Sequence, residues 1–180
     1  MSLKHLLKGQ MRYMANNGFD VTMISAQGDE IKEIIAIENC PHVIIPMTRK
    51  ITIIKDLFAT YKLYQFLKRE KPRIVHSHTP KAGIVGMLAS YLAKTPIRLH
   101  TVAGLPLLEA NGLKRALLNC VEKITYSCAT KVYPNSVVLK DIIIRNNFID
   151  EKKLKVIGNG SSNGIDTSYF NPEMFSSTEN

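Results

Sequence analysis

Short apolar runs alternate with longer runs of helical periodicity along nearly the whole chain. The apolar runs are bounded by Gly, Pro, Asn or other polar residues, which is typical of strands. The predicted strands lie at 19–25, 42–46, 73–77, 97–101, 130–133 and 153–157. Because strands and helices alternate strictly, the pattern predicts an α/β fold, a Rossmann-like open parallel sheet between two layers of helices.

Helical runs separate these strands. They are predicted at 3–16, 29–38, 53–68, 82–93, 113–128 and 136–145. Two of them place five apolar residues on one face, as an amphipathic helix does. These faces consist of Ile53, Leu57, Tyr61, Tyr64 and Leu67 in one helix, and of Leu113, Leu117, Val121, Ile124 and Cys128 in the other. Ser136 is placed to cap the last helix.

The start of the chain departs from the usual order of such domains. They normally open with a strand that lies in the middle of the sheet, whereas this chain begins inside a helical run. We therefore expect the first strand to be lacking. The second and fourth strands of the usual order should then show a gap, a distortion, or an element of another copy between them.

Composition adds a basic surface to this picture. The 180 residues include 24 Lys and Arg against 15 Asp and Glu, a net charge of +9. A basic surface favours anionic partners such as phosphorylated substrates, nucleic acid or an anionic membrane face, and a generic basic surface is an equally weighted alternative. Cys40, Cys120 and Cys128 show no metal-ligand spacing, so we expect three buried thiols in a reducing compartment.

The most informative stretch, IVHSHTPKAG, joins the strand at 73–77 to the next helix. Thr79 is a plausible N-cap and Pro80 a favoured first helical residue. The free N–H groups of this helix start, with the charge of Lys81, predict an anion site at the carboxyl end of the strand. His78 is a candidate site residue, whereas His76 fits a hydrogen-bonded core histidine better.

Glycines mark close approaches in the same region. Gly83 and Gly86 lie three residues apart, which lets their helix approach the sheet closely. The next strand ends in HTVAGLP, where Gly104, with Ala103 before it, allows a tight loop beside the cleft. His100 falls within that strand, so a structural role is favoured for it.

Two further segments follow strands. Arg49, after the strand at 42–46, is placed to fork onto a phosphate, with a solvated charge as an equally weighted alternative. The final segment, VIGNGSSNGID, contains Gly158, Asn159, Gly160 and Gly164, and its composition predicts a flexible hinge.

Several enzyme classes lose support because their motifs are lacking. The chain contains no GxGxxG after a strand, no GxxxxGK[ST], no HExxH and no GxSxG. Dinucleotide-dependent, nucleoside-triphosphatase, zinc-protease and esterase activities are therefore disfavoured. No DxD-like carboxylate pair follows a strand, so no metal is expected.

Taken in order, the motifs VHSHTPKAG, TVAGL, YPNS and GNG…NGID resemble glycosyltransferase family 4, the retaining enzymes of the GT-B fold. Arg49 with the KDL segment at 55–57 resembles its capsule and exopolysaccharide subgroup. The resemblance implies an acceptor-side N-terminal domain over 1–157. It also implies a hinge and tail over 158–180, leading to a donor-binding domain that lies outside this chain.

The same resemblance implies an activity for the intact protein. It would move a sugar from a nucleotide-sugar donor, a UDP-sugar, to a lipid-linked or oligosaccharide acceptor in bacterial surface polysaccharide synthesis. The donor phosphate would help to deprotonate the acceptor. His78 would then be the catalytic residue of this half, and Arg49, Thr79, Lys81, Ala103 and Gly104 would bind substrate. The donor would reach the site through the other domain, so this chain alone is expected to hold no cofactor and to be inactive.

One position departs from the family. Members often carry a histidine before the glycine of the TVxG segment, where this chain has Ala103. Two alternatives stay open: a stand-alone α/β module that binds a phosphorylated small molecule or a protein, and a nucleotide-sugar 2-epimerase. We expect a cytoplasmic bacterial protein at the inner face of the plasma membrane, with no nucleic-acid partner and with an oligomer formed through the site of the lacking strand.

Overall fold

The computed structural model describes Leu3, 6–48, 52–161 and Asn171. Its helices are α1 (Gln10–Asn16), α2 (Ile31–Glu38), α3 (Ile53–Glu70), α4 (Pro80–Leu92), α5 (Gly112–Cys128) and α6 (Val137–Arg145). Its strands are β1 (Met23–Ser25), β2 (His42–Ile44), β3 (Ile74–Ser77), β4 (Ile97–Val102) and β5 (Lys131–Pro134). Short 3-10 helices lie at Pro106–Glu109 and Glu151–Lys153. The alternation of strands and helices confirms the predicted α/β class.

The strands form two separate parallel sheets. β1 pairs with β2, with Met23 opposite His42. β3, β4 and β5 form the second sheet, with Ser77 opposite His100. Within the described residues no strand joins β1 to β3, so the gap expected between these two strands is present.

The sixth strand, predicted at 153–157, was wrong. Asp150 accepts a hydrogen bond from the Lys152 backbone nitrogen at 2.9 Å and starts the short helix Glu151–Lys153. After this turn only Leu154 forms a parallel bridge, with Val132 of β5. The capped turn takes up Lys153, the first residue of the predicted strand, and 155–157 form no regular structure.

Helices α3 and α4 connect the two sheets. One apolar cluster contains Ile24 of β1, Val75 of β3 and the buried faces of both helices. Its buried members are Ile45, Ala59, Leu63, Leu67, Val85 and Ala89. Two other clusters flank it, one beneath β4 and β5 and one between α1 and α2. The gap in the sheet is therefore bridged by helix packing.

The apolar face predicted for α3 was largely wrong. Ile53, Leu57 and Tyr61 are exposed, and the buried face contains Ala59 and Leu63 instead. Small Ala59 allows α3 to pack closely in the cluster it shares with α4. This helix carries apolar residues on more than one face, so periodicity alone does not identify the buried one.

The apolar face predicted for α5 was also largely wrong. Leu113 is 91% exposed, whereas Thr125 and Tyr126 are buried. Gly83 of α4 leaves the space into which Thr125 packs, since a Cβ on this glycine would lie 3.1 Å from Thr125 Cγ2. A close contact between two helices selects small side chains, whatever their polarity.

Both predicted helix caps are confirmed. Thr79 accepts a hydrogen bond from the Ala82 backbone nitrogen at 3.3 Å, and Pro80 is the first residue of α4. Ser136 accepts one from the Leu139 backbone nitrogen at 3.1 Å at the start of α6.

Two smaller expectations need correction at the periphery of the fold. The helix predicted at 3–16 is interrupted at Gly9, whose φ of 80° lies in the left-handed region, so its regular part starts at Gln10. Cys40 and Cys128 are buried as expected, but Cys120 is exposed. In the part of the chain that the structure describes, no helix is both long and apolar enough to cross a bilayer.

Candidate functional site

The candidate site lies at the carboxyl ends of β3, β4 and β5. Parallel strands end at one edge of a sheet, and ligands of open α/β folds bind in the crevice at that edge. His76 and Ser77 end β3, and His78 and Thr79 join it to α4. The structure thus brings the HSHT segment to the edge that the sequence predicted.

His100 lies beneath this edge and is buried. A hydrogen bond of 2.8 Å joins its Nδ1 to Ser77 Oγ, and its ring centroid lies 5.8 Å from that of Tyr126. A Cβ on Gly83 would lie only 2.6 Å from His100 Cε1, so this position requires glycine. The structural role expected for His100 is confirmed, and the close approach predicted for Gly83 has a specific partner.

His76 and His78 form a pair of rings above that layer. Their centroids are 4.0 Å apart. His76 Nε2 is hydrogen-bonded to Thr101 Oγ1 at 2.9 Å, and its ring lies edge-on to Tyr133 at 6.3 Å. His76 is therefore hydrogen-bonded as expected, but it is exposed and not a core residue. His78 is half-buried beside it.

The protonation of these histidines follows from their surroundings. Burial lowers the pKa of His78 to about 3, and repulsion from His76 and His100 acts in the same direction. Burial lowers the pKa of His100 to about 4, again with a contribution from His76. Partial loss of surrounding water also lowers the pKa of His76. All three imidazoles are neutral at neutral pH.

Lys81 does not extend freely toward the carboxyl edge. Its Nζ lies 2.6 Å from Asp56 Oδ2, and the two side chains are only 17% and 19% exposed. Asp56 also accepts a hydrogen bond from the Thr52 backbone nitrogen at 3.2 Å. The ion pair links the first turns of α3 and α4 and neutralises the charge that the sequence assigned to an anion site.

Ala103 and Gly104 follow β4 on the exposed side of the edge. The Ala103 carbonyl accepts a hydrogen bond from Asn135 Nδ2 at 3.2 Å, which fixes the loop to the end of β5. A Cβ on Gly104 would meet no atom within 4 Å. Both residues are therefore open to solvent at the end of β4.

A cavity of about 430 Å³ lies at the carboxyl ends of β1 and β2. Its lining consists of Ala26, Gln27, Pro46, Met47, Thr48, Lys55 and Phe58. Lys55 and Phe58 come from the first turns of α3, so the cavity opens between the β1–β2 sheet and that helix. Gln27 and Phe58 were not predicted as site residues, because their approach depends on the packing of α3.

Two predicted site residues, Arg49 and Gly164, lie outside the described residues. The other three predicted hinge residues, Gly158, Asn159 and Gly160, are described. Gly158 and Gly160 have φ values of 57° and 90°, and a Cβ on Gly160 would lie 2.7 Å from the Asn135 carbonyl oxygen. The Ser161 backbone nitrogen donates to the same oxygen at 2.5 Å. Gly160 and Ser161 therefore contact the residue that directly follows β5.

Three polar residues of this edge were missed as site candidates by reasoning from the residues themselves. Thr101 and Tyr133 contact His76, the neighbour of the predicted site residue His78, and Asn135 contacts Ala103. Their common signal is position, since each lies at the carboxyl end of a parallel strand or directly after one. Among the described residues no group of three His, Cys, Asp or Glu side chains could hold a metal ion.

These features define a Rossmann-like α/β domain with polar side chains at the carboxyl edge of its larger sheet. The sequence model of the family Glycosyltransferase Family 4 matches residues 7–168 of this chain. The chain therefore belongs to this family.

Individual relatives agree with this assignment. The chain is 40% identical over 160 residues to the capsular polysaccharide biosynthesis glycosyltransferase CapM of Staphylococcus aureus, covering 89% of the chain and 41% of that protein. It is 30% identical over 169 residues to the UDP-Gal:alpha-D-GlcNAc-diphosphoundecaprenol alpha-1,3-galactosyltransferase of Escherichia coli, covering 92% of the chain and 42% of that protein. The chain thus spans less than half the length of either relative.

A solved structure confirms the fold. The glycosyltransferase of Rickettsia africae superimposes with a TM-score of 0.65 at 22% identity, over 96% of this chain and 42% of that one. Such a low identity supports the fold alone, which is the fold that the strand and helix pattern predicted.

Proposed function

We propose that the chain is the acceptor-side part of a retaining glycosyltransferase of bacterial surface polysaccharide synthesis. The observation that carries this proposal is the 40% identity to a capsular polysaccharide glycosyltransferase over 89% of the chain. The name of the Escherichia coli relative specifies a UDP-sugar donor and a sugar linked to a lipid diphosphate as acceptor. We assign the same two substrate classes to the intact protein.

In the two-domain arrangement of the family, one domain binds the acceptor and the other binds the nucleotide-sugar donor. Residues 1–157 form the acceptor-side domain, and residues 158–180 lead toward a donor-binding domain, with Gly158, Asn159, Gly160 and Gly164 as the hinge. The share of each relative that the chain covers, 41% and 42%, fits one of two such domains. The positive φ values of Gly158 and Gly160 support a turn there, which glycine adopts at low cost.

His78, Thr79, Ala103 and Gly104 would line the acceptor site. The neutral His78 imidazole can donate a hydrogen bond to a hydroxyl group of the acceptor substrate or accept one from it. Either bond would orient that hydroxyl toward the donor sugar. With a pKa of about 3 it is a weak base at neutral pH, so orientation is the greater part of its catalytic role. The donor phosphate would then take the hydroxyl proton.

Two basic residues would contribute charge near the acceptor. We assign Arg49 to the acceptor phosphate, since it follows β2 in sequence next to Thr48, which lines the cavity. Lys81 would have to weaken its ion pair with Asp56 in order to bind substrate. Its main role is therefore to hold α3 against α4. The net charge of +9 supports a location at the cytoplasmic face of an anionic membrane.

Binding measurements test the acceptor-side assignment directly. We expect the purified chain to bind a short-chain lipid diphosphate sugar in titration calorimetry, to bind UDP-sugar weakly or not at all, and to transfer no sugar alone. His78→Ala should weaken acceptor binding by about three- to tenfold, the loss of one hydrogen bond. The control Arg73→Ala, at the amino end of β3, should bind as the parent does.

The alternatives give different results in the same measurements. Sugar transfer by this chain alone would contradict the assignment to one half of a transferase. Tight UDP-sugar binding without acceptor binding would contradict the acceptor-side role. A stand-alone module for phosphorylated small molecules would bind inorganic phosphate or a sugar phosphate as well as it binds the lipid diphosphate sugar.

A further inference from the structure

A group of polar side chains lies at the carboxyl edge of the larger sheet, on the face opposite to that of Ser77 and His100. We define this edge cluster as His76, His78, Thr101 and Tyr133. Side chains alternate between the two faces of a strand, so Ser77 and His100 bond beneath the sheet while His76 and Thr101 bond above it. The end of β3 is thus tied to β4 by one side-chain hydrogen bond on each face.

His76 is held by two residues of the neighbouring strands. Its Nε2 is hydrogen-bonded to Thr101 Oγ1 of β4 at 2.9 Å, and Tyr133 of β5 meets its ring edge-on at 6.3 Å. Thr101 and Tyr133 lie opposite one another in the register of β4 and β5, so both contact the imidazole from the same side of β3. The side chain of His76 is exposed, but these two contacts restrict the rotation of its ring.

His78 has no comparable anchor. Its ring nitrogens form no hydrogen bond with any residue in the part of the chain that the structure describes. Its ring lies against that of His76, with the centroids 4.0 Å apart and the planes inclined by 37°. Burial keeps both imidazoles neutral at neutral pH, so no charge repulsion opposes this contact. His78 therefore keeps both nitrogens available for a ligand, while its ring rests on one that is anchored.

We propose that His76 is a positioning residue, which holds the His78 ring in the orientation that meets the acceptor hydroxyl, and that Thr101 in turn holds His76. An unrestrained side chain samples several rotamers, and a ligand that binds one of them bears the cost of selecting it. The contact with His76 selects the rotamer when the chain folds, so that acceptor binding does not bear this cost. The inference rests on the proposed function for its acceptor, but the contact between the two rings can be measured without a ligand.

A direct contact between His76 and the acceptor is the competing explanation. The Nε2 of His76 is already bonded to Thr101, which leaves only Nδ1 for a ligand, whereas His78 offers both nitrogens. The two explanations differ in one measurable respect. A residue that acts through His78 loses its effect on binding when the His78 imidazole is removed, whereas a residue that itself contacts the acceptor keeps its effect.

Titration calorimetry with the short-chain lipid diphosphate sugar measures the effect on binding. Thr101→Val keeps the β-branched shape but removes the hydroxyl, and it should weaken acceptor binding by about two- to fivefold, less than His78→Ala does. Thr101→Ser keeps the hydroxyl and should bind as the parent does. Ser25→Ala is the matched control, because it removes a hydroxyl that is bonded to the His42 ring at 2.8 Å between β1 and β2. It should leave the affinity unchanged.

The decisive variants combine these changes with His78→Ala. His76→Ala alone should weaken binding at least as much as Thr101→Val, and neither change should weaken it further when His78 is alanine. Equal losses with and without the His78 imidazole would overturn the proposal, since His76 or Thr101 would then contact the acceptor directly or act on the fold in general. An affinity equal to that of the parent in both single variants would overturn it as well. Circular dichroism of each variant checks that the fold is retained, as expected for substitutions outside the core.

Nuclear magnetic resonance of the imidazole rings tests the positioning without a ligand. In the parent we expect a nuclear Overhauser contact between the His76 and His78 ring protons, and unequal populations of the two neutral His76 tautomers, because one nitrogen is bonded to Thr101. Thr101→Val should weaken the contact and make the tautomer populations more like those of a free histidine, while Thr101→Ser and Ser25→Ala should change neither. An unchanged ring contact in Thr101→Val would refute the proposal. Absence of acceptor binding in the parent, with these spectral changes present, would count against the proposed function alone.

Discussion

Acidification should destabilise this domain through His100. The imidazole is buried, hydrogen-bonded to Ser77 and packed against Tyr126, and its pKa is lowered from 6.5 to about 4. Its folded pKa lies below its unfolded value, so the unfolded state binds more protons between these two pH values. Stability is therefore complete above about pH 6.5 and is lost as the pH falls toward 4.

The size of the effect follows from the two pKa values. Lowering the pH from 7.5 to 5 protonates His100 almost fully in the unfolded state and hardly at all in the folded state. With 1.36 kcal/mol per pKa unit, this difference destabilises the fold by about 2 kcal/mol from His100 alone. Because His100 is buried, solvent screening does not reduce this value much.

Urea denaturation followed by circular dichroism at pH 7.5 and pH 5 measures the effect. His100→Asn keeps a polar group near the position of Nδ1 but cannot titrate. We expect it to reduce the difference in unfolding free energy between the two pH values by about 2 kcal/mol. The exposed His76→Asn is the control and should reduce it less. If His100→Asn showed the full pH dependence of the parent, the buried neutral imidazole would not be its cause.

Three further substitutions have defined outcomes. Gly83→Ala should cost about 1–3 kcal/mol in unfolding free energy, since its Cβ would meet His100 at 2.6 Å, whereas Gly104→Ala, which meets no atom, should cost much less. Lys81→Met should cost about 2 kcal/mol by leaving Asp56 without its charged partner, and adding Asp56→Asn should restore part of the loss in a double-mutant cycle. Ser136→Ala should cost about 1 kcal/mol through loss of the α6 cap, as measured by chemical denaturation.

The parts of the fold that local chemistry specifies could be predicted from the sequence. Thr79 and Pro80 mark the start of α4 because a hydroxyl cap and a proline without an N–H both suit a helix start. The order of the strands was also accessible, and with it the gap between β1 and β3. From these two features follows the position of the histidine pair at the carboxyl edge.

The parts that depend on distant contacts could not be predicted. Lys81 was read as a free charge, and its partner Asp56 lies 25 residues away with no local signal for the pairing. The buried face of α3 was misassigned because both of its sides carry apolar residues, and only the packing against α4 selects Ala59 and Leu63. The same packing leaves Ile54 and Leu57 outside.

The gap between the two sheets leaves the β1–β2 pair as a separate small unit, which can unfold locally without the β3–β4–β5 sheet. β1 and β2 contribute three residues each and, among the strands that the structure describes, pair only with one another, whereas β4 is paired on both sides. Amide hydrogen exchange should therefore separate two levels of protection, with the β1–β2 pair exchanging through smaller, local openings. The cavity near Lys55 lies at the ends of this less protected pair. A ligand that fills the cavity would therefore slow amide exchange in β1 and β2 first. Part of its binding free energy would be used to order these two short strands.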